Sequence, residues 1–189
     1  MMRIIGGKYR GRPLGTVPEG LRPSSARLRE TLFNIVSNDI RGAVWVEPFV
    51  GSGAVGIEAI SRGAKQVILN DSSAESLQVV KHNLYICQVK ERYTIDQMDV
   101  FVFLRKLDEP AIDFVFLDPP YQFGRYNKLL KTIAVLPGIQ ETTWIILETD
   151  KRIKLAFIPE NLSVVRTLRV GNSHLVFLKL PKDRESDFP

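Results

Sequence analysis

Leu28, Leu32, Ile35 and Val36 fall at i, i+4, i+7 and i+8. That spacing predicts a helix with one apolar stripe, opened by Pro23-Ser24-Ser25 with Ser24 or Ser25 as its cap. Arg27 and Arg29 lie off the stripe, which leaves them free to face solvent or a ligand. From residue 43 the pattern changes. Short β-branched runs at 43–47, 66–70, 92–97, 112–117, 143–148, 163–169 and 174–180 predict strands, and helical stretches fall at 54–62, 73–86, 99–107 and 125–135. Strands alternating with helices imply a parallel sheet covered on both faces. Only "VGNS" separates the last two strands, so they should pair as an antiparallel hairpin at the sheet edge. The expected fold is α/β: a mostly parallel seven-stranded sheet with an antiparallel C-terminal strand. Before it, "RIIGGKYRGRPLG" reads as a small β-hairpin, followed by the loop "TVPEGL". The organisation expected is a basic hairpin extension over 1–22, one domain over 23–181 and a disordered tail over 182–189.

The 189 residues, 44% apolar and 25% charged, suit one domain with a buried core. Met1 to Lys8 holds no apolar core of a secretory signal, and no apolar run approaches the roughly 18 residues of a membrane span. One cysteine, Cys87, excludes an internal disulfide and fits a reducing compartment. A cytoplasmic monomer with no membrane partner is expected. The net charge of +5 changes the picture once it is located: residues 1–30 hold seven Lys or Arg and two Asp or Glu, and the rest of the chain balances. A basic arm on a neutral body is what gripping a polyanion beside an active site requires. The alternative is a solvated basic terminus.

Candidate chemistry begins at Gly51-Ser52-Gly53-Ala54-Val55-Gly56, which matches the G-x-G-x-x-G loop of dinucleotide sites between a strand and a helix. Bare Gly51 and Gly53 leave room for a ligand, and Gly56 lets helix and strand approach. Glu47, at the strand tip, would repel a pyrophosphate and suits a cationic group, such as the amino acid end of S-adenosylmethionine. Asp71, 18 residues past Gly53, stands where an acid binds ribose hydroxyls, with Asn70 as the neighbouring alternative. Asp99 could accept from an adenine amine or serve as a helix N-cap.

The discriminating motif is "FVFLDPPY", residues 114–121. An apolar strand runs into Asp118-Pro119-Pro120-Tyr121, where two prolines fix the backbone. The turn presents the Asp118 carboxylate and the Pro119 carbonyl as paired acceptors for an exocyclic amine, and Tyr121 offers a stacking face. It holds no cysteine, which argues against base C5 methylation. His82 and His174 are far apart, and no His/Cys cluster has ligand spacing, so no metal is expected. Cys87 reads as a small buried residue.

These motifs resemble the class I S-adenosylmethionine-dependent methyltransferases of Rossmann-like fold, in the amino-methylating branch. "MRIIGGKYRGRPL", "RPSSARLRETLFNI", "GSGAVGIEAISRGA" and "FLDPPY" are similar to the bacterial RsmD family over about residues 2–180. The resemblance implies S-adenosylmethionine as cofactor, with contacts at Glu47, Phe49, Gly51, Ser52, Gly53, Asp71 and Asp99, and Val100 beside the last. It implies base handling by Asp118, Pro119, Pro120 and Tyr121. The partner it implies is 16S ribosomal RNA or the small ribosomal subunit, methylated at a guanine N2. RNA contacts are expected at Arg3, Lys8, Arg10, Arg12, Arg22, Arg27 and Arg29. The chain departs from the family at Glu47, where an aspartate is usual, and at Asp71, where glutamate is common. Other readings are an adenine-N6 methyltransferase on RNA or DNA, a nicotinamide-dependent oxidoreductase and a noncatalytic RNA-binding protein.

Overall fold

A computed structural model describes residues 2–15, 24–120, 122–153 and 157–181. The expectations for the 16–21 loop, Arg22, Pro23, Tyr121 and the 182–189 tail lie outside the described residues. Helix α1 (Ala26–Ile35) leads into β1 (Val44–Glu47), α2 (Ala54–Ser61), β2 (Gln66–Asp71), α3 (Ala74–Ile86) and β3 (Arg92–Gln97). Then come α4 (Val100–Lys106), β4 (Ile112–Leu117), α5 (Tyr126–Ala134), β5 (Ile139–Asp150), β6 (Ser163–Val170) and β7 (Ser173–Lys179).

The strands form one sheet in the order β3-β2-β1-β4-β5-β7-β6. β1 to β5 run parallel, and β7 inserts antiparallel between β5 and β6. Successive residues of each central strand serve opposite faces. Trp45, Phe114, Phe116 and Ile146 pack under α1, α2 and α3, while Val46, Val115, Leu117 and Ile145 pack under α4 and α5. Trp45 centres the first layer, with its ring 5.5 Å from Phe33 and 5.4 Å from Phe114. The edge strands β3 and β6 are largely exposed.

β5 begins at Ile139, four residues before the expected start at 143. After Ile139, the polar residues Gln140-Glu141-Thr142 are exposed where the β4–β5 register shifts. Thr143 stitches the irregularity: its hydroxyl donates to the Ile112 carbonyl (2.6 Å) and accepts from the Gln140 N–H (2.9 Å).

The N-terminal segment is a short antiparallel ribbon with a single bridge, Arg3 to Pro13. It is fastened to α2 rather than standing free. Glu58, wholly buried, accepts from the Ile5 N–H (2.8 Å), the Gly6 N–H (2.7 Å) and Arg62 Nε (2.9 Å). Ser61 adds bonds to the Tyr9 N–H and the Gly6 carbonyl.

Glu58 thus carries the junction between ribbon and body. Glu58→Ala should lower stability by about 3 kcal/mol, because it strands two backbone donors and the half-buried Arg62 guanidinium. A urea titration measures this, with a midpoint well below the parent expected.

Candidate active site at the carboxyl edge of the sheet

Parallel strands deliver their carboxyl ends to one edge, where the loops open a cleft of about 720 Å³. Glu47, Phe49, Gly51, Ser52, Asp71, Asp99, Val100, Asp118, Pro119 and Pro120 all line it. The sheet order distributes them. Glu47 and Asp71 are the last residues of β1 and β2, Asp99 lies just past β3, and the Asp118-Pro119-Pro120 turn follows β4.

Glu47 is 2% exposed. Burial pushes its carboxyl well above the usual range, and the charges of Asp118 and Asp71 add to the shift. Hydrogen bonds from Trp45 Nε1 (3.4 Å) and the Gly56 N–H oppose it. No Lys or Arg among the described residues pairs with Glu47. A cation is the partner such a group lacks.

The glycines divide the work differently from the expectation. Gly53 does not line the cleft. It caps α2 in the left-handed region at φ 75°, and a Cβ there would meet Val80 of α3 at 3.1 Å. Its role is the turn, not clearance for a ligand. Gly56 does permit close approach: a Cβ would stand 2.7 Å from Leu69 and 2.8 Å from Glu47 Oε2.

Asp71 Oδ2 accepts from the Gly51 N–H (3.0 Å) and Oδ1 from the Ser73 N–H (2.9 Å). It therefore ties the glycine loop to β2 and keeps a second acceptor site on each oxygen. Asn70 is no ligand candidate. Its buried amide donates to the Pro48 and Met98 carbonyls (3.1 and 3.2 Å) and accepts from the Met98 N–H (3.1 Å). Asp99 is the N-cap of α4, accepting from the Phe101 N–H at 2.9 Å, and its other oxygen lies 4.0 Å from Arg125 Nη2. In the proline turn, the Pro120 carbonyl accepts from the Phe123 N–H at 2.8 Å.

Phe123, Arg125, Tyr126 and Glu148 also line the cleft, and the sequence reading missed them. Phe123 meets Phe49 edge-on at 5.3 Å and Tyr126 at 5.6 Å, and the Arg125 guanidinium lies 5.2 Å from its ring. Glu148 had a legible signal: it is an acid at the carboxyl end of a parallel strand, like Glu47 and Asp71. Ser25 caps α1, while Ser24 reaches Glu148 instead.

The basic residues sit elsewhere. None of Arg3, Lys8, Arg10 and Arg12 lines the cleft. Lys8 pairs with Glu91 at 2.6 Å, and Arg12 donates to the Cys87 carbonyl at the C-terminal end of α3. Arg10 and Arg27 are exposed. Arg29 contradicts the expectation of a solvent-facing base: it is 1% exposed and donates to the Arg3 carbonyl at 3.1 Å. Burial lowers its pKa, and the charge of Glu58 opposes the shift.

Among the described residues the cleft wall holds seven carboxylates and one base, Arg125. Such a wall disfavours a pyrophosphate and favours cations and hydrogen-bond donors. No cluster of three His, Cys, Asp or Glu that could hold a metal occurs among the described residues, and no described helix is long and apolar enough to cross a membrane. Cys87 is buried, and burial raises its thiol pKa.

Sheet order, glycine loop and proline turn together define a class I methyltransferase architecture. The chain belongs to the RsmD family: the family model described as Conserved hypothetical protein 95 matches residues 2–179. It is 32% identical to the ribosomal RNA small subunit methyltransferase D of Haemophilus influenzae over 173 residues, 90% of this chain and 89% of that one. The Escherichia coli K12 protein of that name is 32% identical over 189 residues, 98% of this chain and 93% of that one. The yhhF structure from Escherichia coli superposes with a TM-score of 0.82 at 28% identity, over 95% of this chain and 97% of that one.

The Gly53 geometry yields a test. Gly53→Ala should destabilise the fold by about 1–2 kcal/mol through its left-handed backbone, without placing a side chain in the cleft. Thermal melting and ligand calorimetry on the same variant separate the two effects. A normal melting temperature with abolished ligand binding would refute this assignment.

Proposed function

We propose that the chain transfers a methyl group from S-adenosylmethionine to the exocyclic N2 amine of a guanine in 16S ribosomal RNA of the small subunit. The observation that carries this reading is one cleft in which a buried Glu47, with no Lys or Arg partner among the described residues, and the Asp118-Pro119-Pro120 turn stand at the ends of neighbouring strands. The relatives named as small-subunit methyltransferases supply the RNA.

The residues fit the cofactor. The cleft has the volume of a small-molecule site, and no Lys or Arg among the described residues pairs with Glu47. Glu47 would face the cationic amino acid end, Asp71 the ribose hydroxyls and Asp99 the adenine side, with Phe49 and Val100 flanking. When bound, S-adenosylmethionine supplies an electrophilic methyl on a sulfonium.

The chain's own contribution is orientation. The Asp118 carboxylate and the Pro119 carbonyl each accept an N–H of the incoming amine, which directs its lone pair out of the base plane. Holding the nitrogen at about 3–3.5 Å from the carbon it attacks removes much of the entropic barrier. The nitrogen becomes positive as the bond forms, and Asp118 stabilises that charge and accepts the proton released. An adenine N6 presents the same amine to this turn, so the choice of guanine rests on the family.

Purified protein incubated with S-adenosylmethionine and 16S RNA or small-subunit particles should yield N2-methylguanosine by nucleoside mass spectrometry. N6-methyladenosine, or no methylated nucleoside from either substrate, would overturn the reading. Asp118→Ala should cut turnover by on the order of 10²–10³ while cofactor affinity stays near the parent value.

The state of Glu47 predicts a pH dependence. Burial keeps a proton on its carboxyl to well above the usual carboxylate pKa in the free protein. A bound cation favours the ionised form, so binding releases that proton. Affinity for S-adenosylmethionine should therefore rise with pH from the ordinary carboxylate range, by up to about tenfold per unit. It should level off above the raised pKa. Calorimetry across pH measures this, and Glu47→Gln should flatten the profile.

A further inference from the structure

The proposed function leaves Glu148 without a task, although it lines the cleft beside the Asp118-Pro119-Pro120 turn. Leu117 of β4 pairs with Leu147 of β5, so Asp118 and Glu148 are the next positions on adjacent parallel strands. Adjacent strands lie about 4.8 Å apart. Ile146 serves the face under α1 and Leu147 the opposite face, which returns Glu148 to the α1 face. Two hydroxyls hold its carboxylate. Ser173 Oγ donates to Oε1 at 2.9 Å, and Ser24 Oγ donates to Oε2 at 3.3 Å. Glu148 itself lines the cleft beside the Asp118-Pro119-Pro120 turn, and a carboxylate offers about four acceptor positions in all.

We infer that Glu148 is the residue that selects guanine, by accepting the N1–H of the base whose N2 amine is held by Asp118. This rests on the guanine-N2 reading and extends it. On the Watson–Crick edge of guanine, the N2 amine has a donor, N1–H, as its neighbour. On that edge of adenine, the N6 amine has an acceptor, the bare N1 lone pair. A carboxylate fixed next to the amine site attracts the first edge and repels the second. A site built to bond an N–H rejects a ligand lacking it far more strongly than a shape match alone could. Glu148 touches the base but not the transferred methyl, so its effect is on identity and positioning.

The discriminating probe is 2-aminopurine, which keeps the 2-amino group but has a bare N1. Ribosomal RNA is prepared with either guanine or 2-aminopurine at the methylated position, as naked RNA and as small-subunit particles. Transfer of labelled methyl gives kcat/KM for each. The parent enzyme should favour guanine by on the order of 10² or more. Glu148→Gln presents an amide N–H₂ that can donate to the bare N1, so the preference should fall at least tenfold, with cofactor affinity by calorimetry unchanged. Glu148→Asp keeps an acceptor on that strand and should retain the guanine preference.

A preference in Glu148→Gln within about twofold of the parent overturns the inference while the guanine-N2 reading stands. Equal relaxation in the Gln and Asp variants also overturns it, since that reports loosened packing rather than hydrogen-bond matching. If the parent enzyme makes no N2-methylguanosine on either substrate, the underlying reading fails first, and the inference falls with it.

Discussion

The side chain of Asn70 holds the cleft together. One buried amide joins the segment after β1, through the Pro48 carbonyl, to the segment after β3, through both polar backbone groups of Met98. The Asn70 carbonyl in turn accepts from the Val50 N–H at 3.0 Å. Three strand ends are thereby fixed relative to one another, beyond the last β1–β2 pair at Glu47 and Leu69. A buried amide with its groups satisfied is rigid, because leaving any one unpaired is costly. The neighbouring Asp71 extends the same device, bonding the Gly51 and Ser73 N–H groups from its two oxygens.

That rigidity lets carboxylates stand close together. Folding must accommodate their repulsion, and the protein does so by burying one of them. Glu47 lies beneath Gly56 and against Trp45, where desolvation favours its neutral form. The absence of a side chain at Gly56 makes this burial possible, since a Cβ there would overlap both Leu69 and the Glu47 carboxylate. The glycine loop is thus shaped as much by the acid beneath it as by any ligand above it.

Much of this was legible in the sequence. Periodicity located all seven strands, because β-branched runs and amphipathic stripes are local signals, and the acids at strand tips followed from strand polarity. What failed depended on contacts distant in sequence. The start of β5 was hidden because Gln140-Glu141-Thr142 is polar, and only the Thr143 hydroxyl bridging to Ile112 shows why a polar run can begin a strand. Arg29 reads as a surface base on a helical wheel, yet the Arg3 carbonyl and the neighbouring Glu58 draw it inside. Glu58 itself sits in the apolar run "GIEAIS", which was a usable sign of burial. Gly53 carried the motif's meaning into the wrong role, since the pattern fixes a turn without saying which way a missing Cβ would point.

The separation of charge has a physical consequence for how a polyanion meets this surface. The cleft is walled by carboxylates, whereas the basic ribbon is clamped to the C-terminal ends of α2 and α3 and exposed bases such as Arg10 and Arg27 lie outside the cleft wall. A phosphate backbone is attracted to the bases and repelled by the wall. A neutral base, stripped of its stack and extended from the backbone, meets no such repulsion, and its amino edge finds acceptors there. The same carboxylates that favour cations and hydrogen-bond donors therefore keep phosphates out, so that a single extruded nucleobase is the part of an RNA best suited to enter.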